Sequence, residues 1–491
     1  MRGCCKCVFK SLGQPSIQFK LHSSHTTTGK PTQKLLPRCT AVLPDRAEVM
    51  RPLKQPAKLA MLLLLTLLLL CNGVGNVHGK TIHENSIDLQ ALLAFKQSIT
   101  NDPLGALSNW NTTTHHLCRW NGVTCTTTPP FRVSSLNLTN QNLQGQISPS
   151  LGNLTFLNML DLSYNGLIGN FPILNNLQNL SYLDFSSNHL EGSIPHEIGQ
   201  LPKLQTLFIG ENDLSGEFPH AIFNLSGSLQ FLALEHNMLA KALPFNIGDL
   251  LPNLIQLFLS GNSFDGAIPA SLGNAVGLQL IDLSTNYFSG KIPASFGNLS
   301  NLRILSLELN YFEARDNSDW GFLNALGNCP SLNTLTLSYN YLQGSIPQSI
   351  GNLSPGLQFL SLAGNNLSGQ VPQSIGKLSA LTSLALHMNQ LNGTIDGWIG
   401  NLKNLQLLSL HSNSFTGPIP SSIGNLTYLT YLYMSDNKFE GLIPTSIGNL
   451  PLIKLDLGYN NLQGYIPPSF GNLRDLTHLK ISNNNLQGDI L

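Results

Sequence analysis

Residues 405–426 read LQLLSLHSNSFTGPIPSSIGNL, and this stretch is the clearest copy of a unit that recurs through most of the chain. The unit is L-x-x-L-x-L-x-x-N-x-L-x-G-x-I-P-x-x-I-G-N-L. Successive copies start 23 to 25 residues apart, except for one step of 30 residues between Leu305 and Leu335. The residues that open the L-x-L pairs are Leu136, Leu160, Leu183, Leu207, Leu232, Leu257, Ile281, Leu305, Leu335, Leu360, Leu384, Leu408, Leu432, Leu455 and Leu479.

A repeat of this length and composition predicts a leucine-rich-repeat solenoid. The two leucines of each L-x-L pair alternate with outward residues, so each repeat is expected to add one short strand to a parallel sheet. A single repeat cannot bury its leucines alone, and stacking creates the core. We therefore predict an α/β leucine-rich-repeat solenoid, a curved right-handed superhelix with one parallel concave sheet and a convex side of short 3-10 helices and loops.

An asparagine stands five residues after the opening residue of the pair in fourteen of the fifteen repeats, and Gln141 takes its place in the first. A short amide at a bend can pair with backbone donors and acceptors of adjacent turns. The column, which includes Asn286, is therefore predicted to form a buried hydrogen-bond ladder with a structural role.

Charge is scarce and unevenly distributed along the 491 residues. Charged residues make up 11% of the chain against 42% hydrophobic residues, which excludes a disordered chain. The 26 basic and 26 acidic residues balance, which argues against nucleic acid as the main partner. Because 11 basic and 2 acidic residues precede Lys80, the remainder holds 15 basic and 24 acidic residues, a formal charge of −9. That charge disfavours anionic ligands and mildly favours basic peptides.

A leucine-rich run at residues 59–71 follows three basic residues and precedes small residues around Gly79. The run is too short to span a bilayer and is typical of a secretory signal peptide. We predict a signal peptide at 50–79, a doubtful extension at 1–49, an N-terminal cap at 80–132 and about fifteen repeats at 133–491, the last one incomplete. A transit peptide is the alternative for the N-terminus, and a truncated gene model or a short decoy product is the interpretation of the incomplete last repeat.

Three cysteines follow the predicted signal peptide. Cys118 and Cys125 lie seven residues apart, a spacing that predicts a local disulfide in an oxidising compartment. A zinc site is the alternative, but the two thiolates lack further ligands nearby. Cys329 replaces a framework leucine, so it is expected to be a small buried hydrophobe, with a reactive thiol as the alternative.

Several motifs resemble plant leucine-rich-repeat receptor-like kinases. The G-x-I-P element, as in Gly266 to Pro269, resembles the plant-specific repeat subtype. The segment DLQALLAFK at residues 88–96, Trp110 and the two neighbouring cysteines are similar to the N-terminal cap of these receptors. The long repeat with Trp320 resembles the group of flagellin and elongation-factor receptors and blight-resistance receptor kinases.

The resemblance implies a small helical, disulfide-bonded cap and the extracellular ligand-recognition module of a receptor-like protein or kinase in plant defence. A peptide or protein ligand and a co-receptor kinase are the implied partners, and no cofactor or metal is expected. The implied location is secreted or, in a longer receptor, the plasma membrane. No kinase signature is present in the chain, so we expect no kinase activity from it. A secreted inhibitor similar to polygalacturonase-inhibiting proteins is an alternative, as is a longer serine/threonine receptor kinase.

The concave sheet is the expected binding surface, and departures from its small polar residues are the candidate contacts. Two phenylalanines occupy the outward position of the L-x-L pair two repeats apart, histidines and tyrosines cluster further along, and acidic residues line the earlier rim. An exposed aromatic row on a rigid sheet is a plausible peptide-docking strip. The predicted ligand-binding residues are Phe208, Glu235, His236, Phe258, Glu308, His387, Met388, His411, Tyr431 and Tyr433, with Glu211 on the same rim.

Two of these candidates have alternatives. His387 and His411 hold equivalent positions one repeat apart, which also allows metal binding or pH sensing, although ordinary polar surface is the simpler interpretation.

Residues 317–326 of the long repeat predict a short helix on the convex side, with Trp320 in the core.

Glycosylation sequons are spread along the repeats, mostly away from the concave strip, as a secreted binding protein requires. An accidental origin in the repeat consensus is the alternative. Asn137 is an exception because it is expected on the concave face. The predicted glycosylation sites are Asn111, Asn153, Asn179, Asn224, Asn298, Asn352, Asn366, Asn392 and Asn425.

Overall fold

The computed structural model describes residues 6–8, 18–20, 86–113 and 116–488. The chain divides into two compact units, Met1–Ile82 and His83–Leu491. Within the first unit, strand Lys6–Val8 pairs antiparallel with strand Gln18–Lys20. The predicted signal peptide lies outside the described residues.

The fifteen L-x-L strands of the second unit and one strand of the cap form a sheet of 16 strands within the described residues. Each repeat pairs in parallel with the next, and opening leucines align in register, as Leu207 does with Leu232. This confirms the predicted parallel L-x-L sheet, whose outward side we call the concave face. Its strands are Val123–Cys125, Val133–Asn137, Met159–Asp161, Tyr182–Asp184, Thr206–Phe208, Phe231–Ala233, Gln256–Phe258, Leu280–Asp282, Ile304–Ser306, Thr334–Thr336, Phe359–Ser361, Ser383–Ala385, Leu407–Ser409, Tyr431–Tyr433, Lys454–Asp456 and His478–Lys480.

A second sheet of 16 strands, absent from the prediction of one sheet, also runs along the described part of the solenoid. Its strands follow the ladder asparagines, where L-x-G again alternates inward and outward residues. In strand Ser263–Gly266, for example, Phe264 is buried and Asp265 is exposed. The strands are Ile99–Asn101, Gln144–Gln146, Gly166–Asn170, His189–Ser193, Asp213–Glu217, Met238–Ala242, Ser263–Gly266, Tyr287–Gly290, Tyr311–Ala314, Tyr341–Ser345, Asn366–Gln370, Gln390–Gly393, Ser414–Pro418, Lys438–Leu442, Asn461–Tyr465 and Asn485–Gln487.

Short helices close most repeats, as predicted. The proline of G-x-I-P lacks an N–H and ends the second strand, and its carbonyl then accepts the first helical hydrogen bond. In one repeat, Leu272 N donates to Pro269 O at 3.1 Å. The 3-10 helices are Leu117–Arg119, Pro149–Asn153, His196–Gln200, His220–Leu225, Ala270–Asn274, Ala294–Asn298, Leu326–Asn328, Gln348–Asn352, Gln373–Lys377, Gly397–Asn401, Ser421–Asn425, Thr445–Asn449 and Pro468–Asn472, and the α-helices are Ser86–Ser98, Ile247–Leu250 and Gly321–Ala325.

The long repeat inserts helix Gly321–Ala325, as the sequence predicts. Trp320 is buried, and its Nε1 donates to Gln343 O at 3.2 Å. Cys329 is fully buried, which raises the pKa of its thiol to about 11 and favours the core interpretation over a reactive thiol.

The asparagine column forms the predicted ladder. Asn286 Nδ2 donates to Leu259 O of the preceding repeat at 2.9 Å and to two carbonyls of its own turn. Its Oδ1 accepts from Phe264 N of the preceding repeat at 3.0 Å. Each amide therefore satisfies backbone groups of two repeats, and Asn286 does so at a buried position. The residue before Asn286, Thr285, has a left-handed backbone with φ of 55°, and this position is left-handed in every repeat.

The N-terminal cap covers the first repeat with a helix and closes both sheets. Helix Ser86–Ser98 buries Ala91, Leu92 and Phe95 on one face. Strand Val123–Cys125 pairs antiparallel with the first L-x-L strand, and Ile99–Asn101 pairs antiparallel with the first strand of the second sheet. The N-terminal edge of each sheet is thereby covered, as a terminal repeat requires.

The cap is joined to the repeats by a buried ion pair and is closed internally by the predicted disulfide. Arg132 donates to Asp88 from Nε and Nη2 at 2.9 and 2.7 Å, and Val133 N donates to the same carboxylate at 2.9 Å. Cys118 and Cys125 are bonded, which confirms the disulfide. No helix in the described ranges is long and apolar enough to cross a membrane.

Candidate functional site

Two phenylalanines of the concave face stand on either side of a small residue. Phe208 aligns with Ala233 on the next strand, and Ala233 aligns with Phe258 on the strand after that. Both rings are half-buried, whereas Ala233 is 5% exposed. At about 4.8 Å between neighbouring strands, the backbones that carry the two rings are roughly 10 Å apart. We call Phe208, Ala233 and Phe258 the phenylalanine notch.

Glu235 lies beside this notch and is half-buried, with its carboxylate packed against the neighbouring repeat. Its carboxylate occupies the space over Gly210, where any Cβ would collide with Oε1. Oε2 is buried and accepts no hydrogen bond from the described part of the chain. Burial, helped by the negative charges of Glu211 and Asp282, raises the pKa of Glu235 to about 7, although a hydrogen bond from its own backbone N–H acts against that shift.

Glu308 is a second carboxyl of the same kind, three repeats further along. Its side chain is 7% exposed and makes no hydrogen bond or ion pair among the residues the structure describes. Burial, with the charge of Asp282, raises its pKa to about 7. In the preceding repeat, the hydroxyl oxygen of Thr285 is also buried without a partner among the described residues. The concave face thus holds polar groups that the protein itself leaves unsatisfied.

The neighbouring acids differ because they have partners. Asp184 accepts from Ser186 N and from Tyr182 O–H at 2.9 and 3.1 Å. Asp282 accepts from Ser284 Oγ at 2.7 Å. Ser187 Oγ donates to Glu211 at 2.6 Å. Burial raises the pKa of Asp184 and of Tyr182, whose ring meets Phe208 edge-on at 6.1 Å between centroids.

The contrast has a sequence signal that our sequence analysis missed. Several repeats carry Asp and Ser two residues apart, as in L-D-L-S at residues 160–163, and the Ser satisfies the Asp. The repeats with Glu235 and Glu308 read L-A-L-E and L-S-L-E, so a Glu takes the Ser position and no Asp precedes it. The larger acid replaces the partner, which explains why both carboxyls lack one.

The side chain of His236 packs toward the following repeat, whereas that of Glu235 packs toward the preceding one. Its ring lies over Gly261 of the following repeat, where a Cβ would collide with Nδ1. Burial lowers the pKa of His236, although the acids Glu211 and Asp282 act against that shift. The residue is therefore expected to be neutral above about pH 6.5.

A second group of predicted residues, which we call the histidine cluster, contains His387, Met388, His411, Tyr431 and Tyr433. The two imidazoles stack with centroids 4.4 Å apart, and the ring of Tyr433 meets His411 edge-on at 6.5 Å. Ser409 Oγ lies 3.1 Å from His387 Nδ1. The structure therefore brings these side chains together across adjacent strands.

The chemistry of the histidine cluster favours neutral packing over metal binding or pH sensing. Burial, together with the proximity of His411, lowers the pKa of His387 to about 3. Burial also lowers the pKa of His411. The described residues contain no group of three or more metal-ligating side chains.

Two predicted contacts are less accessible than an exposed strip requires. Tyr431 is only 8% exposed, and its ring packs at 6.5 Å against Tyr433. Glu308 was expected at an open rim, but it is only 7% exposed. Met388, in contrast, is 37% exposed and accepts a weak hydrogen bond from Tyr339 O–H at 3.7 Å.

An aromatic stack outside the predicted strip lies on the second sheet. Tyr287, Tyr311 and Tyr341 follow the ladder asparagines of three successive repeats and are 41% to 47% exposed. Their neighbouring ring centroids are 5.9 and 5.6 Å apart. The Asn-Tyr pairs in the sequence signal this stack, which does not face the concave side.

Family models match the cap and the repeats. A leucine rich repeat N-terminal domain matches residues 85–126, and a leucine rich repeat model matches residues 379–439. A second leucine rich repeat model matches residues 179–201, 253–275, 277–299, 331–353, 356–378 and 451–473. The plant peptide hormone receptor RGFR1, solved in complex with RGF2, is 30% identical with a TM-score of 0.54 over 75% of this chain and 72% of that chain. The chain belongs to the leucine-rich-repeat family.

Within this family, the chain is similar to plant receptor kinases. The ectodomain of the membrane receptor kinase GASSHO1/SCHENGEN3 from Arabidopsis thaliana, in complex with CASPARIAN STRIP INTEGRITY FACTOR 2, is 35% identical with a TM-score of 0.55 over 81% of this chain and 56% of that chain. Receptor kinase-like protein Xa21 of Oryza sativa subsp. japonica is 49% identical over 82 residues, 16% of this chain and 8% of that protein. The first curated relatives are matched over only 9% and 11% of their own length.

Proposed function

We propose that this leucine-rich-repeat chain is an extracellular recognition module that binds a peptide or protein ligand on its concave face. The observation that carries the proposal is the phenylalanine notch beside the carboxyl of Glu235, whose Oε2 is buried without a partner among the described residues. A protein core does not need such a carboxyl, because burying it without a partner costs free energy. Two similar receptors, GASSHO1 and RGFR1, were solved with their own ligands, which supports a recognition role.

The finer parts of the proposal concern biological context. We propose that recognition serves plant defence signalling, that a co-receptor kinase joins the complex, and that the chain acts outside the cell or at the plasma membrane. Similarity to Xa21 supports a receptor setting. In this setting the predicted sequon asparagines carry glycans that leave the concave face free.

Binding of the secreted chain to a panel of microbial elicitor peptides tests this function. The variants Phe258→Ala and Tyr433→Ala remove one aromatic ring each from the two predicted groups. Tyr465→Ala is the matched control, because Tyr465 is 69% exposed on the second sheet. We expect a peptide whose affinity falls by about tenfold or more in at least one concave-face variant and stays unchanged in the control.

Equal peptide affinity in all three variants would show that these concave-face residues do not bind the peptide. Hydrogen exchange supplies a second measurement that does not depend on a variant folding. A bound ligand is expected to slow exchange in the strands of the concave face and not in those of the second sheet.

A further inference from the structure

The carboxyls of Glu235 and Glu308 lie on one face, and neither has a side-chain partner or a positive neighbour among the described residues. Glu235 is surrounded by the charges of Asp184, Glu211 and Asp282, together with His236, whose pKa is lowered by burial. The negative charge of Asp282 also acts on Glu308 and helps to raise its pKa. Ion pairs within the described residues involve neither glutamate. The local potential is therefore negative and uncompensated.

The phenylalanine notch supplies the apolar part of a basic side-chain site next to Glu235. Lysine and arginine bury their aliphatic stems along apolar surface and place the charged end on an acid. A guanidinium also binds well to the face of an aromatic ring. Phe208 and Phe258 offer two such rings, and Ala233 between them leaves room for the stem.

The spacing of the two glutamates fits an extended peptide. Glu235 and Glu308 occupy equivalent positions three repeats apart, so three strand spacings of about 4.8 Å place their backbones about 14 Å apart. An extended chain rises about 3.4 Å per residue, so the same distance corresponds to about four residues of a peptide running across the strands.

We propose that Glu235 and Glu308 are two subsites for arginine or lysine side chains of an extended peptide ligand, with basic residues about four positions apart. The proposal rests on the peptide-binding function above and adds the chemical class of the ligand. An incoming cation gives each carboxyl the partner that the protein lacks, and the notch holds the side chain at the first subsite. A charge-assisted hydrogen bond of this kind is worth most where water is excluded.

The test uses the secreted chain and an array of synthetic peptides about ten residues long, each with two arginines at varied separation. Matched peptides carry neutral citrulline in place of each arginine. The proteins are wild type, Glu235→Gln, Glu308→Gln and the control Asp265→Asn, which removes an exposed acid from the second sheet. We expect tightest binding at a separation of about four residues and at least about tenfold weaker binding in each Gln variant or with citrulline.

A pH series on the same array provides a second measurement. An arginine pairs with the ionised carboxylate, and the free groups have pKa values of about 7. Lowering the pH from about 8 to about 5.5 protonates them, so affinity for arginine pairs is expected to fall by about tenfold or more. The Gln variants are expected to lose part of this pH dependence, while the control keeps it.

The outcomes separate this proposal from the proposed function. Peptide binding that depends on Phe258 but is equal in wild type and both Gln variants would overturn the acidic subsites and leave the peptide-binding face in place. If the array and the elicitor panel show no binding that depends on the concave face, the proposed function and the subsites are both wrong.

Discussion

At the scale of single residues, Glu235 and Glu308 lower the stability of the folded chain at neutral pH. Their pKa values in the folded chain, about 7, exceed the ordinary value of 4.5, so the folded state holds more protons than the unfolded state between these pH values. The two glutamates therefore cost no free energy of unfolding below about pH 4.5. They lower it progressively as the pH rises to about 7.

Glu235→Gln and Glu308→Gln are expected to stabilise the chain at about pH 8 by about 1 to 3 kcal/mol each, because glutamine carries no charge. At about pH 4.5 the variants and the wild type are expected to be equally stable. Urea unfolding at the two pH values measures the difference. A Gln variant less stable than wild type at pH 8 would indicate that the carboxylate has a partner in the folded chain.

The sequence predicts that Glu235 lies on the concave side, but it does not predict that the carboxylate packs against the neighbouring repeat. This packing depends on Gly210 in the preceding repeat, over which the carboxylate folds. Such a contact joins residues 25 positions apart and follows from side-chain conformation, which the repeat pattern does not determine. The same limit explains why Tyr431 and Glu308 were expected at more open positions.

At the scale of elements, the asparagine ladder fixes each turn to its neighbour. Asn286→Leu leaves Phe264 N without a partner in a buried place, and it removes one of the two amide donors to Leu259 O and to Leu283 O. We expect a loss of about 1 to 3 kcal/mol in the free energy of unfolding, measured by urea denaturation. Asn301→Leu is the control, since Asn301 is exposed and makes one long hydrogen bond of 3.4 Å. Equal midpoints for the two variants would refute the structural role.

The ion pair between Asp88 and Arg132 holds the cap to the repeats, and the side chain of Asp88 is 1% exposed. Asp88→Asn leaves a buried guanidinium without its charge partner, so we expect a loss of about 3 to 5 kcal/mol, concentrated in the cap. Hydrogen exchange should then quicken in helix Ser86–Ser98 before the central repeats change. Uniform destabilisation of all repeats would show instead that cap and solenoid unfold as one unit.

The L-x-L strands were predictable because their two leucines repeat with a strand's periodicity and face one core. The second sheet was harder to predict, because most of its strands include a glycine that interrupts the alternating pattern. Gly266, for example, has φ of 72°, a conformation that L-residues rarely adopt, and it closes its strand.

At the scale of the whole molecule, the formal neutrality of the chain hides a difference between its ends. The residues from Lys80 onward carry 15 basic and 24 acidic side chains, and the excess of acid acts over distances of a Debye length, about 10 Å at 0.1 M salt. Long-range attraction of a basic peptide and local contact at Glu235 and Glu308 are therefore separable by salt, because screening acts mainly on the approach of the ligand.

Raising salt from about 0.05 to about 0.5 M is expected to slow association of an arginine-pair peptide by about tenfold and to change its dissociation much less, as surface plasmon resonance measures. Glu235→Gln is expected to show the reverse: a faster dissociation at every salt concentration and nearly the same slope of association against salt. Asp265→Asn removes the same charge from the second sheet, so it should reproduce only the small loss in association. If Glu235→Gln and Asp265→Asn behave alike, Glu235 acts through the net charge of the solenoid and does not contact the ligand.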